Sequence, residues 1–324
     1  MKKCSVIFMM VICAILVTVF PKKERKLPLV AIANYGPHNT LIDSIQGIKD
    51  SLAKAGFIEG KTVRFAIQDV GFDAALIPQM VTSLKNQHPR VMIALTTPVA
   101  QFAKSAVHDI PVIYDVITDP VEAGLIDARN QPSGNMTGSS DQQNLTLLLT
   151  FAQKILPKVD AVGLLYAPSE ANDLALKKAF EEAAQPFHIK LIAFPIMDAR
   201  DVALVMPKFK NKVDMIYVGA SGPIQPALPV IAAQSALLHI PVFNVDEDAV
   251  RKGLVLASFG VNYYQVGVHA GRLAVHQLQN EHAPLLKPVY PKKADHHGVI
   301  HLKNADALHL AIPKQLENIT IMRS

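Results

Sequence analysis

Val91-Met92-Ile93-Ala94-Leu95-Thr96-Thr97-Pro98, Ile110-Pro111-Val112-Ile113-Tyr114-Asp115-Val116-Ile117-Thr118-Asp119-Pro120 and Asn135-Met136-Thr137-Gly138-Ser139-Ser140-Asp141 follow one another within about fifty residues. Each is an apolar run that stops at hydroxyls or a carboxylate. Short runs that are nearly all apolar and rich in Val and Ile mark strands buried on both faces, which implies a parallel sheet covered by helices. In open sheets of that kind, ligands sit beyond the carboxyl ends of the strands, so these three turns are expected to line one site.

The same rhythm extends in both directions. A buried-type strand over 27–34 ends in Tyr35-Gly36-Pro37-His38-Asn39. Leu41, Ile45, Ile48 and Leu52 then follow at the spacing of one helical face, closing at Gly56. A strand over 61–68 and a helix over 75–86 lead into the central units. Beyond a helix over 144–156, stopped by Pro157, alternation restarts: strands over 161–166, 191–196, 215–218, 241–245 and 254–259, helices over 171–184, 201–209, 226–238 and 262–278. Such alternation predicts an α/β protein with right-handed crossovers. The restart predicts a second lobe. No Gly- or Ser-rich linker separates the halves, so several short crossings are expected.

Composition excludes several functions. The formal charge of +5 lies wholly in residues 1–26, which carry six basic side chains and one acidic; the remaining 26 basic and 26 acidic residues cancel. With 6% aromatic residues and no Trp as well, nucleic-acid binding has no support. Both cysteines, Cys4 and Cys13, fall in the same leader, so the remainder has no disulfide, thiolate metal site or cysteine nucleophile. The leader itself, Lys2 and Lys3 before an uncharged run from Cys4 to Phe20, is expected to be a signal peptide or an N-terminal membrane anchor, hence an extracytoplasmic protein. Its apolar run exceeds the ~7–15 residues of a usual signal core and has no small-x-small cleavage site.

Chemistry-bearing motifs are sparse. His296, His297 and His301 cluster, and His269 and His276 lie on one predicted helix, but no His-x-x-x-His with a nearby carboxylate occurs, so no metal site is expected. Ser221 and Ser258 lack a nucleophile-elbow context. No phosphate-binding glycine loop occurs and no cofactor is expected. Asp119, Asp141 and Asp246 stand at strand ends, where they serve as caps, as an acid–base pair of an enzyme, or as ligand contacts. Their company of Thr96, Thr97, Thr118, Ser139 and Ser140 favours ligand contacts. Hydroxyls and helix N-termini suit a carboxylate, an Asp suits an ammonium, and together they grip a zwitterion.

Longer motifs add a resemblance. Gly47-Ile48-Lys49-Asp50-Ser51-Leu52, Ala94-Leu95-Thr96-Thr97-Pro98-Val99-Ala100-Gln101, Val116-Ile117-Thr118-Asp119-Pro120-Val121, Gly134-Asn135-Met136-Thr137-Gly138-Ser139-Ser140-Asp141 and Ser258-Phe259-Gly260-Val261-Asn262-Tyr263 occur in order. Over residues 28–313 the chain resembles the extracytoplasmic substrate-binding proteins of ABC transporters of the tryptophan/tyrosine type. The resemblance implies a type I periplasmic-binding-protein fold, with two Rossmann-like lobes of parallel sheet joined by a hinge. Residues 27–141 with 263–283 would form lobe one, and 142–262 with 284–324 lobe two. It implies a small ligand, such as an aromatic amino acid, held between the lobes of a monomer that serves an ABC permease. A tethered ligand sensor without transport is the alternative. The resemblance implies that Thr97, Thr118, Ser140, Asp141 and Asp246 lie at the ligand or the closing hinge, and with Asn34, Thr96, Asp119, Ser221 and Gly260 these are the expected ligand contacts. One departure stands out: where the family commonly has an Asp after the strand 215–218, this chain has Ala220-Ser221-Gly222.

Overall fold

A computed structural model describes residues 27–280, 282–313, 316 and 318–323; the leader lies outside them. The first sheet is parallel, in the order β2-β1-β3-β4-β5, from β1 (Leu29–Asn34), β2 (Arg64–Asp69), β3 (Val91–Leu95), β4 (Val112–Ile117) and β5 (Met136–Ser140). Its helices are α1 (Asn39–Lys54), α2 (Ile77–Lys85) and α3 (Thr97–Ala106). In β1, Val30 and Ile32 join one core with Leu41, Ile48 and Val266, while Ala31 and Ala33 join another with Met80, Val81 and Met92. Alternate residues thus enter opposite layers, which is why the run carries no polar side chain before Asn34.

After α4 (Leu145–Ile155) come β6 (Ala161–Tyr166), α5 (Ala171–Ala184), β7 (Lys190–Pro195), α6 (Val202–Val205), β8 (Met215–Val218), α7 (Leu228–Leu238), β9 (Val242–Asn244), α8 (Glu247–Arg251) and β10 (Ala257–Val261). The chain then returns to the first lobe as α9 (Tyr263–Gln279), and comes back as β11 (His296–His301), α10 (Leu302–Ala307) and β12 (Ile319–Met322). The second sheet runs β12-β11-β10-β9-β8-β6-β7, antiparallel at β10/β11 and parallel elsewhere. Among the described residues no helix is long and apolar enough to cross a membrane.

Two glycines fix the return of α9. A Cβ on Gly47 of α1 would stand 2.1 Å from the Tyr264 carbonyl oxygen, and one on Gly267 would stand 1.9 Å from that of Ser44. The two helices touch backbone to backbone, which only glycine permits. This seats α9 on lobe one and makes 261–263 a crossing.

Several elements differ from the sequence-based expectation. Thr97-Pro98, read as a polar turn, begins α3, because proline is tolerated in the first helical turn. Ser139 and Ser140 lie inside β5 rather than beyond it. His296, His297 and His301 belong to the strand β11. The stretch 284–290, assigned with lobe two, instead runs along β5: Thr137 Oγ1 donates to Leu286 O at 2.7 Å, and Ser140 N to Val289 O at 2.9 Å. The free edge of β5 offers it unpaired backbone groups, which need partners.

Candidate ligand-binding cleft

The carboxyl ends of the two sheets face each other across a cavity lined by residues of both lobes. On the lobe-one side, the loop after β1 brings Tyr35 and His38, and the loop after β2 brings Phe72. Thr96, Thr97 and Pro98 follow β3, Val116 and Thr118 come from the end of β4, and Asp141 follows β5. On the lobe-two side stand Glu170 and Asn172 at the start of α5, Ala220-Ser221-Gly222 and Gln225 after β8, and Val245 after β9.

The lobe-one wall carries backbone strain. Thr96 has φ 74° and ψ 158°, a region otherwise left to glycine, and Val116 has φ 55°. Both are β-branched, and each such residue costs about 1–3 kcal/mol, so the surrounding structure must over-determine it. Asp115 contributes to that. Its carbonyl accepts from Thr96 N at 2.9 Å, and its carboxylate accepts from Ser44 Oγ in α1. Val116 sits where the β4/β5 register shifts between Tyr114 and Ile117, so the bulge turns its side chain into the cavity. Beside them, Tyr35 and Phe72 pack edge to face, with centroids 5.5 Å apart.

The lobe-two wall carries the carboxylate of Glu170, 5% exposed. It accepts from Tyr35 OH at 3.1 Å across the cleft, from Asn172 Nδ2 at 3.2 Å and from Gly222 N at 3.3 Å. Burial pushes its pKa up, with those donors opposing. Asp173, which accepts from Ala167 N at 2.6 Å, is pushed up by burial to about 7. Asp141 accepts from Tyr263 OH at 3.3 Å and is pushed up by burial to about 6. His38 is held below its ordinary value by burial, against the pull of Asp246, whose carboxylate lies 3.8 Å away.

Of the residues expected to contact ligand, Thr96, Thr97, Thr118, Asp141 and Ser221 line this cavity. The other five lie outside its lining. Asn34 donates to Gly36 O at 2.9 Å and shapes the loop that presents Tyr35. Asp119 accepts from Val121 N at 2.9 Å and Glu122 N at 3.0 Å, closing a turn. Ser140 donates to Ile117 O at 2.6 Å, inside the sheet. Asp246 caps α8 by accepting from Asp248 N at 2.9 Å, and with Gly260 it lines an adjoining recess. Local backbone donors thus hold Asp119 and Asp246.

Sequence reasoning missed Glu170, Asn172, Gln225, Tyr35 and Phe72. Ala167-Pro168-Ser169-Glu170 stands between the strand ending at Tyr166 and α5, whose second residue is Asn172, the same strand-end position singled out in lobe one. The missing Asp after β8 is answered here, since Glu170 reaches the Gly222 backbone from the neighbouring turn. Among the described residues, no group of three or more His, Cys, Asp or Glu is placed to hold a metal. His296 instead bonds backbone at Asn144 and Lys292.

Residues 29–320 match the family described as ABC transporter substrate binding protein. A tyrosine-binding protein of Clostridioides difficile (strain R20291) is 26% identical over 258 residues, covering 80% of this chain and 74% of its own. The structure of an ABC domain from Streptococcus pneumonia in complex with L-Trp superposes with a TM-score of 0.85 at 24% identity, covering 91% of this chain and all of that one. The ligand-free, open structure of a substrate-binding protein with adhesive properties from Clostridium difficile scores 0.71 at 25% identity, over 92% of this chain and all of that one. The fold is that of type I periplasmic binding proteins, and the chain belongs to the ABC transporter substrate-binding protein family, whose members bind solutes outside the cytoplasm.

Proposed function

We propose that the chain is the solute-binding component of an ABC importer and closes around an aromatic amino acid in the interlobe cleft. One observation carries this reading. A single cavity joins an aromatic face, Tyr35 and Phe72, to buried carboxylates, Glu170 and Asp141, and to the hydroxyls and N-terminus of α3 at Thr97. Such a cavity offers a stacking surface for a ring, anions for an ammonium, and peptide N–H groups for a carboxylate. The curated name of the tyrosine-binding relative and the tryptophan in the structural neighbour support the same ligand class.

The mechanism is hinge closure. Ligand bound to the lobe-one wall supplies the contacts that draw Glu170 onto Tyr35, and its higher affinity for the closed form shifts the population toward it. A permease would then recognise the closed pair of lobes of a monomer held outside the membrane, exported or tethered by the leader. No covalent step is required. Calorimetric titration of the purified protein with the twenty amino acids tests the reading. Tyrosine, tryptophan or phenylalanine should bind at least tenfold tighter than any aliphatic amino acid. Absence of heat from all three would overturn it.

A further inference from the structure

Among the residues that line this cavity, Thr96 Oγ1 and Ser221 Oγ are buried hydroxyls without a partner, able to donate or accept, and the other unbonded polar atoms are all acceptors. Asp141 Oδ1, Asn172 Oδ1 and Gln225 Oε1 are buried without a hydrogen-bond partner, on side chains 2%, 8% and 8% exposed. The two amides are not free to turn over. Asn172 Nδ2 donates to Glu170 Oε2 at 3.2 Å, Asp173 Oδ1 at 3.2 Å and Ala220 O at 3.1 Å, while Gln225 Nε2 donates to Gly219 O at 2.7 Å. Each NH₂ group is therefore committed to oxygen, and each carbonyl is left as an acceptor. Buried acceptors without donors cost free energy until something supplies N–H or O–H groups. No Lys or Arg lines the cavity among the described residues. A ligand carboxylate meets no cationic side chain held in its charged form, only hydroxyls and the first peptide groups of α3.

We infer, resting on the ligand class proposed above, that the ammonium group is the anchor of the ligand and its carboxylate is secondary, so that the cleft also takes decarboxylated aromatic amines as a second ligand class. An –NH₃⁺ group brings three donors and one positive charge, which suits a pocket of Glu170, Asp141 and two fixed amide oxygens. The same pocket repels an aryl acid that has lost its amine.

The test is a calorimetric series on the purified protein: L-tyrosine, tyramine and 3-(4-hydroxyphenyl)propionate, then L-tryptophan, tryptamine and indole-3-propionate. Each amine should bind within about tenfold of its amino acid, and each deaminated acid should lose about 100-fold or more, in line with a charge-assisted hydrogen bond left unmade. If the amino acids bind but the deaminated acids match or exceed the amines, the inference fails while the proposed ligand class stands. If no member of either set binds, both fail together.

Discussion

The two walls of the cleft solve different problems. Lobe one supplies shape: an edge-to-face aromatic pair, and Thr96 and Val116 forced into positive φ at the ends of adjacent strands. Lobe one also brings the carboxylate of Asp141, while lobe two supplies Glu170 and the fixed acceptors Asn172 and Gln225, oriented by their own hydrogen bonds before any ligand arrives. The contrast teaches a division of labour. A strained, hydroxyl-rich wall can be shared among ligands of one outline, while Glu170 and the fixed acceptors of the opposite wall, with Asp141, decide which charge is admitted.

The sharpest way to break this contrast is Glu170→Gln, which preserves size and removes the charge. Calorimetry should show affinity for the aromatic amino acid falling about 10–100-fold, the range of a charged hydrogen bond. An unchanged affinity would move the charge-selecting role away from lobe two.

Acidification should come next. In the ligand-free protein burial raises Asp141 to about 6 and pushes Glu170 upward, so below pH 6 an incoming ammonium must displace protons. Affinity should fall about tenfold per pH unit for each carboxyl that must ionise, as the ordinary linkage of one proton requires. Stability of the empty protein should move the opposite way. Asp115 and Asp173, each raised to about 7, and Asp141 hold protons more tightly folded than unfolded. Their contribution is full below the unfolded carboxyl pKa and is lost as pH rises through about 6 to 7. Thermal melts of the empty protein should therefore rise from pH 8 to pH 5.5, while titrations at the same pH values weaken.

Thr96→Gly probes the shape wall. Glycine adopts φ 74° without penalty, so chemical denaturation should show stability unchanged or raised by about 1 kcal/mol, while affinity drops a few-fold as the hydroxyl is lost. A clear loss of stability would mean that Thr96 is held without strain. Smallest of all, Asp119→Ala should leave affinity untouched and cost about 1 kcal/mol of stability, the worth of a backbone cap. A large affinity loss would return Asp119 to the ligand.

Thr96 and Thr97 were visible in the sequence because they are the first polar residues after the wholly apolar β3, whereas Thr118 and Asp141 were visible only by their place at strand ends, since buried Asp115 and buried Thr137, Ser139 and Ser140 precede them within β4 and β5. Asp119, Ser140 and Asp246 carried the same signal and are spent on nearby backbone donors or acceptors. Strand-end position alone does not tell a cap from a contact, because both use the same side-chain oxygen.

By itself the sequence determined the two-lobed alternation of strands and helices, and the clustering of hydroxyls and carboxylates at strand ends. Both follow from local periodicity and the need to bury each face. Only the tertiary structure decided that Tyr35 meets Glu170, residues 135 positions apart, and that the amide nitrogens of Asn172 and Gln225 are spent on protein oxygens while their carbonyl oxygens are left unbonded. Those contacts depend on where three chain crossings place one lobe against the other, and on hydrogen bonds between segments that no local pattern links.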